Sequence, residues 1–244
     1  MAETVVRPAF YAARQGSVRD WWTLLHPPYT AWHLSYVVLG ACLAPSVDTT
    51  RLLATLGAFF LAVGLAAHAL DELHGRPLRT QIPNATLIVA AAAGLAGSLL
   101  LGVLGMSQVG WTLLVFMLAG TFLVLAYDLE WFGGVVHTDA GFAAAWGAFP
   151  VLTACFAQTG GLTVIGIIAA ASAYGFTSAQ RCLSNRARHI RRRTRAVEGV
   201  VTLTNGRQET IDADYLLEPI EQALRALSWS LVLIAAAIAI LRLL

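Results

Sequence analysis

Hydrophobic residues fall into seven runs along the chain, separated by polar connections. The runs cover about residues 29–45, 52–70, 85–104, 109–127, 140–157, 162–179 and 226–244. A helix of roughly 17–20 residues crosses the ~30 Å hydrocarbon core of a bilayer. The runs lack the alternation of half-buried strands, so they predict seven transmembrane helices rather than a barrel.

The connections between the runs alternate in polarity. Those after the first, third and fifth runs are short and almost chargeless. Those after the second, fourth and sixth carry His68, Asp71, Glu72, His74, Arg76 and Arg79, then Asp128, Glu130, His137 and Asp139, then the arginines from 181 to 195. Alternate connections lie at the same end of a spanning bundle. We therefore predict a polar chamber at that end, and we expect the function to lie there.

Composition supports a membrane protein and excludes one class of membrane protein, the retinal-binding rhodopsins. Hydrophobic residues make up 57% of the chain and charged residues 12%, too little charge to cover a soluble domain of this size. All sixteen basic residues are arginine. Without lysine no retinal Schiff base can form, which excludes a microbial rhodopsin of similar size.

The placement of arginine predicts the orientation. Arginines before the first run, after the second and after the sixth would all lie on one side of seven crossings. They are Arg7, Arg14 and Arg19, then Arg76 and Arg79, then the seven from Arg181 to Arg195. The positive-inside rule makes that side cytoplasmic, with the C-terminus outside. We expect an integral protein of a bacterial inner membrane, without a nucleic-acid partner.

Four regions are predicted along the chain. They are an interfacial segment over 1–28, a six-helix bundle over 29–180, a cytoplasmic flap over 181–225 and a last spanning helix over 226–244. Within the flap, Asn205-Gly206 between two short β-prone segments predicts a hairpin. Residues 215–227 have the pattern of a separate amphipathic helix.

The first candidate site follows the second run. On a helix, His68 and Asp71 lie three residues apart and His68 and Glu72 four apart, so they share a face. Asp71 and His74 repeat the spacing of three, as in bundle sites that bind metals. We predict His68, Asp71 and Glu72 as catalytic and metal-binding groups. The alternative is that these residues lie hydrated at the headgroup level without a function.

The arginines of the same connection are candidates for substrate binding. Arg76 and Arg79 follow the acidic cluster, where they could grip an anionic substrate. In the run from 181 to 195, only Arg181 is predicted to lie close enough to the chamber to bind substrate. The other arginines of that run are expected to bind anionic lipid headgroups.

The second candidate cluster follows the fourth run. It contains Tyr127, Asp128, Glu130, His137 and Asp139. Glu130 and His137 would join His68, Asp71, Glu72 and His74 as metal ligands. The alternative is a solvated acidic loop. His33, inside the first run, either reaches the chamber or packs within the bundle.

The stretch from His68 to Thr80 resembles the UbiA superfamily of intramembrane prenyltransferases and terpene cyclases. In that family the second span ends in Asn-Asp-x-x-Asp-x-x-x-Asp, followed shortly by Arg-Pro-Leu. His68 and Asp71 occupy the two positions spaced by three, and Arg76-Pro77-Leu78 matches. The segments 27–32 and 127–134 are also similar, and the likeness covers roughly residues 20–180.

The resemblance implies a helical bundle around a cavity open to lipid and to the cytoplasm. It implies Mg²⁺ held by aspartates against a prenyl diphosphate, with substrate contacts from Arg76, Arg79, Arg181 and Tyr127. Hard divalent cations prefer carboxylate oxygens and bridge phosphate oxygens. The expected activity is prenyl transfer or cyclisation on a lipid-soluble isoprenoid.

The chain departs from the family at several positions. Gly75 replaces the last aspartate of the motif, Glu130 replaces an expected basic residue, and residues 178–185 lack the second aspartate-rich motif. Seven spans are predicted instead of about nine. Candidates to supply the missing acids are Asp214, Glu218 and Glu221 of the flap.

Two alternatives to the prenyltransferase-like enzyme stay open at this stage. Histidines in place of aspartates shift metal preference toward Zn, Fe or Mn, which favours a membrane metalloenzyme on the same scaffold. A non-catalytic lipid-binding subunit, using the arginine run and the flap, is the other.

Overall fold

The computed structural model describes residues 8–13 and 16–244, most of them in helices. Arg7 and Arg14, which the orientation argument uses, lie outside the described residues, as do the other residues of 1–7 and Gln15. The helices are α1 (Ser17–Leu24), α2 (Pro27–Cys42), α3 (Thr49–Leu73), α4 (Asn84–Val109), α5 (Leu113–Asp128), α6 (Asp139–Thr159), α7 (Val164–Arg193) and α8 (Ala213–Leu243). A hairpin of β1 (Gly199–Thr202) and β2 (Gln208–Ile211) joins α7 to α8.

The long helices coincide with the seven apolar runs of the sequence. Within the described residues, α3, α4, α6 and α8 are long and apolar enough to cross a membrane, and α5 is apolar but shorter. The prediction of a helical protein with membrane-spanning character is thereby confirmed. Seven crossings are not established, because α2, α5 and α7 are not among these four helices. The α2 helix, with 16 residues, would reach only about 24 Å at 1.5 Å per residue.

Several helices begin at side chains that cap them. Asp48 accepts a hydrogen bond from the backbone N–H of Arg51 at the start of α3, and Asp212 does the same for Tyr215 at the start of α8. Thr138 and Thr163 cap α6 and α7 through the N–H groups of residues three further on. Each cap satisfies a backbone donor that the first turn of a helix leaves free.

The most buried helix, α2, lies at the centre of the bundle. It packs against α6 and α8, and Trp32 and Tyr36 belong to a core that includes Val151 and Leu231. Gly40 lies so close to α6 that an added Cβ would stand 2.4 Å from the carbonyl oxygen of Val151. This central position explains why α2 carries polar residues that a lipid-facing helix would not tolerate.

Two helices contain wider π-helical turns. Phe60–Ala67 is π-helical within α3, and Ala144–Ala148 is π-helical within α6. A π-helical turn shifts the hydrogen-bond ladder and leaves carbonyl groups available to side chains. Such turns are frequent at functional sites.

The predicted flap differs from the structure at both ends. The arginine segment 181–193 continues α7 without a break, and the helix predicted over 215–227 is the first part of α8. A hydropathy pattern predicts that a span ends at the first charged residues. Arginine is a good helix former, however, so the helix itself continues beyond the apolar segment. The hairpin is confirmed, with Val200 paired to Thr210 and Gly206 at φ +80°.

Candidate functional site

A polar chamber lies at the end of the bundle where the charged connections meet. Its volume is about 1020 Å³, counting its mouth. It collects residues from the segment 8–11, from α2, α3, α5, α6 and α7, and from the start of α8. Its polar lining comprises Tyr11, His26, Tyr29, His33, His68, Asp71, Tyr127, Asp128, His137, Gln180, Arg181, Ser184, Arg188, Arg191, Arg192 and Glu221.

Two carboxylates from different helices face this chamber. Asp71 comes from the end of α3 and Asp128 from the end of α5. Asp128 is 8% exposed, and its Oδ2 atom has no hydrogen-bond partner within the described residues. The Oε1 atom of the buried Gln180 is unpartnered in the same sense. Buried polar atoms without partners are costly, so these acceptors are set up to receive a ligand.

Three chamber histidines share one tautomer. His33 Nδ1 lies 2.8 Å from the carbonyl oxygen of Trp146, and His68 Nδ1 lies 3.0 Å from that of Gly64. His137 Nδ1 lies 2.9 Å from the carbonyl oxygen of Tyr127. A carbonyl can only accept, so each Nδ1 carries the hydrogen, and in the neutral form of each ring Nε2 would present a lone pair.

The carbonyl partners explain the position of two of these rings. Gly64 lies in the π-helical turn of α3, and Trp146 lies in that of α6. The turns provide the acceptors that orient His68 and His33. Sequence reasoning missed them, since a π-helical turn leaves no clear pattern of polar residues.

His26 is a chamber residue that the sequence analysis did not identify. Its ring stacks on that of His68 with centroids 4.2 Å apart, and its backbone is left-handed, at φ +46°. Its Nε2 has no partner within the described residues. Burial lowers the pKa of His26 well below its usual value, and the positive charges of Arg192 and Arg188 act in the same direction. A strained, neutral and unpartnered imidazole indicates a functional group. The only signal in the sequence was its place directly before Pro27-Pro28.

Arginines of α7 form another part of the lining, which we call the arginine wall. Arg181, Arg188, Arg191 and Arg192 all line the chamber, whereas the sequence predicted this for Arg181 alone. Continuation of α7 explains the difference, because residues at i, i+7 and i+11 return to the same helix face. Burial lowers the pKa of Arg188 to about 10, so its guanidinium remains charged at neutral pH.

The arginine wall is fixed by specific contacts. Arg181 donates to Asp139 at 2.9 Å and to the hydroxyl of Tyr127 at 3.0 Å. Arg191 makes a two-pronged ion pair with Glu221, at 2.5 and 2.9 Å, which joins α7 to α8. Arg192 donates to the carbonyl oxygen of Pro8 at 3.2 Å. These charge-assisted contacts fix the arginine side chains, so that their positive charges stay at the chamber.

Glu72 has a different role from the catalytic and metal-binding one expected. It is fully buried, and its carboxylate accepts hydrogen bonds from the backbone N–H groups of Leu78 and Thr80, at 2.9 and 2.8 Å, and from the Thr80 hydroxyl. It therefore anchors the loop after α3 and does not line the chamber.

Other expected site residues also lie outside the chamber. Arg76 donates to the carbonyl oxygens of Thr80 and Ile82 and to Asn84, which makes it part of the same loop. His74, Arg79 and Glu130 are exposed. Glu130 comes no nearer to His137 than 4.0 Å. Three of the six predicted metal ligands, His68, Asp71 and His137, thus line the chamber, and Glu72, His74 and Glu130 do not. No three His, Cys, Asp or Glu side chains in the described ranges are grouped to hold one ion.

The acids proposed to replace the second motif are divided in the same way. Glu221 lines the chamber, but Arg191 engages both of its oxygens. Asp214 and Glu218 are exposed, and Glu218 accepts a hydrogen bond from Gln222. Asp128, which the sequence analysis did not select as a ligand, is the second carboxylate of the chamber.

An apolar cleft adjoins the chamber. It has a volume of about 920 Å³ with its opening, and residues of α3, α4, α5 and α6 line it. Val63 and Trp146 line both cavities. A polar site beside an apolar cleft suits a ligand with a charged head and a hydrocarbon chain.

Comparison with known proteins adds no relative. No protein-family model matches this chain, and neither a curated protein nor a solved structure is similar to it.

Proposed function

We propose that this protein is a UbiA-like membrane enzyme that acts on an isoprenoid diphosphate, by prenyl transfer or cyclisation. The diphosphate binds in the polar chamber, and the prenyl chain extends toward Trp146, where the apolar cleft begins. The observation that carries the proposal is that charges of both signs line one chamber. Arg181, Arg188 and Arg192 come from α7, and the carboxylates Asp71 and Asp128 come from the ends of α3 and α5.

The presence of both signs of charge favours a diphosphate over a simple anion. Guanidinium groups neutralise phosphate oxygens and stabilise the charge that develops on a departing diphosphate. Carboxylates facing the same ligand would repel it unless a cation lies between them. A diphosphate bound together with a divalent cation balances both the arginines and the carboxylates, which a fatty acid or a monovalent anion does not.

Mg²⁺ suits the chamber only together with its ligand. Asp71 and Asp128 would hold the ion, and phosphate oxygens and water would complete the octahedral shell that Mg²⁺ requires. The bound ion would supply charge neutralisation at the diphosphate. The unpartnered Oδ2 of Asp128 supports this assignment, whereas the engaged carboxylate of Glu72 does not belong to it.

The proposal includes seven membrane crossings and a chamber that faces the cytoplasm. Support comes from the arginines of α7, which line the chamber, as the positive-inside rule expects of a cytoplasmic face. Single cysteines at Asp48 and at Arg193, labelled with a membrane-impermeant maleimide in whole cells, test this. We expect labelling at position 48 only, and labelling at position 193 alone would reverse the orientation.

Turnover of prenyl diphosphates by purified protein tests the function. Detergent-solubilised protein with Mg²⁺ is incubated with C10, C15 and C20 prenyl diphosphates and with a membrane lipid extract as the source of a prenyl acceptor, and inorganic pyrophosphate release is measured. We expect release that Asp71→Asn abolishes and that the matched change Glu130→Gln, at an exposed carboxylate outside the chamber, leaves intact. A protein that neither binds nor converts any of these compounds would refute the proposal. Binding that Asp71→Asn does not alter would favour the non-catalytic lipid-binding alternative.

A membrane metalloenzyme that uses Zn, Fe or Mn is the second candidate function. One observation favours it: His33, His68 and His137 each donate Nδ1–H to a backbone carbonyl, the arrangement typical of metal-binding histidines. Their side chains would have to converge on an ion. Elemental analysis of the purified protein decides between the two, since a stoichiometric transition metal lost in His68→Ala would support the metalloenzyme.

A further inference from the structure

The polar chamber and the apolar cleft meet at two side chains. Val63 and Trp146 line both cavities and are 6% and 5% exposed. They belong to one buried cluster with Val124 and Tyr127. The two cavities are therefore neighbours separated by a thin wall of side chains, which we call the partition.

Both partition residues stand on π-helical turns. Val63 lies within Phe60–Ala67, and Trp146 lies within Ala144–Ala148. The same two turns supply the carbonyl oxygens that accept hydrogen bonds from His68 and His33. The partition is thus built into the backbone that also orients the chamber imidazoles, and two such rare turns at one boundary point to a function for it.

The Trp146 ring is held from the chamber side. Its centroid lies 5.8 Å from that of Tyr127, edge to face, and 6.5 Å from that of Phe142. Tyr127 is fixed in turn by the guanidinium of Arg181. On its other side the ring borders the open cleft. Removal of the indole would therefore join two existing cavities rather than leave an isolated hole.

We infer that Val63 and Trp146 set the length of the prenyl chain that the enzyme accepts. With the partition in place, a chain whose diphosphate lies in the chamber ends at Trp146. Without it, the chain extends into the cleft. This inference rests on the proposed function, and it identifies two specificity-determining residues of that site.

The expected effect is large because apolar burial is additive. Each methylene moved from water into an apolar site strengthens binding by roughly fourfold. Even two or three methylenes placed in the cleft would therefore change affinity by more than about tenfold. A short chain that already ends before the partition gains nothing.

The experiment measures chain-length preference by equilibrium binding. The probes are unreactive thiolodiphosphate analogues with C10 and C20 prenyl chains, in Mg²⁺, on detergent-purified full-length protein. We expect Trp146→Ala to strengthen C20 binding relative to C10 by at least about tenfold. Trp146→Phe, which keeps an aromatic wall, is expected to retain the wild-type preference. Val63→Ala opens the wall from α3 and is expected to shift the preference in the same direction by less.

A second substitution tests where the added chain goes. Ala58 lines the cleft but not the chamber, so Ala58→Leu fills the cleft alone. Combined with Trp146→Ala, it is expected to cancel the gain for C20. If the wild type binds the analogues and neither Trp146→Ala nor Val63→Ala changes the preference, the partition inference is overturned and the proposed function stands. If the wild type binds neither analogue, the proposed function fails and this inference fails with it.

Discussion

The buried carboxylate of Glu72 accepts hydrogen bonds from both the backbone N–H and the hydroxyl of Thr80, each at 2.8 Å. Its neighbour in the sequence, Asp71, lines the polar chamber instead. Two adjacent acidic residues therefore have separate roles, one in the structure of the loop after α3 and one in the candidate site.

Substitution of Glu72 should destabilise the fold more than substitution of Asp71. The amide group of Glu72→Gln has one oxygen, so it cannot accept from both Leu78 and Thr80. A buried donor left unpaired costs about 1–3 kcal/mol, and more beside a lost charge. We expect Glu72→Gln to lower the thermal midpoint in detergent clearly, and Asp71→Asn to change it little. The opposite order would show that Glu72 does not anchor this loop.

The difference between these two residues shows what the sequence could and could not reveal. Helical spacing placed His68, Asp71 and Glu72 on one face, and the structure keeps them on one helix. The loop of 74–83 then folds back over Glu72, which depends on tertiary contacts such as that between the Gln81 N–H and Asp20. No local sequence pattern predicts that this loop folds back over Glu72.

The same limit applies to the arginine wall and to His26. The alternation of charged connections predicted the end of the bundle where the chamber lies, and Asn205-Gly206 predicted the hairpin. Hydropathy alone could not predict that α7 continues beyond Arg181, because it measures how well a segment suits lipid and not where a helix ends. His26 was hidden because its strained backbone conformation and its contact with His68 arise only when α2 and α3 pack together.

The pH dependence of stability should report on His26. Its pKa is lowered in the folded protein, while the unfolded chain protonates this residue near the ordinary value of about 6.5. The unfolded state therefore binds more protons below pH 6.5, and stability falls as the pH falls. For one such group the loss reaches about 1.4 kcal/mol at pH 5.5.

Thermal unfolding between pH 7.5 and 5.5 checks this expectation. Tyr11, His68, Arg188 and Arg192 face the ring, and none of them is changed in the test. His26→Asn removes the imidazole, and asparagine tolerates the left-handed backbone. We expect a shallower fall with pH in this variant, and an unchanged slope in His74→Asn, at an exposed histidine. Equal slopes in all three proteins would contradict a buried, neutral His26.

Binding of inorganic pyrophosphate should depend on Arg188. The Arg188 guanidinium faces the chamber and remains charged at neutral pH. Loss of a charge-assisted hydrogen bond to phosphate costs about 1.5–3 kcal/mol, so Arg188→Gln should weaken binding by roughly ten- to a hundredfold. Arg207→Gln, in the exposed hairpin where Arg207 pairs with Glu209, should have no effect. Calorimetric titration measures both, and equal weakening by the two variants would indicate only a non-specific effect of charge.

The close contact between α2 and α6 gives a last prediction. A Cβ at position 40 would stand 2.4 Å from the carbonyl oxygen of Val151, which belongs to the backbone of α6 and cannot move alone. Gly40→Ala should therefore push the two helices apart at a cost of about 1–3 kcal/mol. Gly175 in α7 has nothing within 4 Å of the same added atom, so Gly175→Ala should be neutral or stabilising by up to about 1 kcal/mol. Thermal unfolding of the two variants in detergent compares them directly. Trp32 and Tyr36 of α2 belong to the same buried cluster as Val151. A Gly40→Ala protein as stable as Gly175→Ala would therefore mean that α2 does not form the centre of the fold.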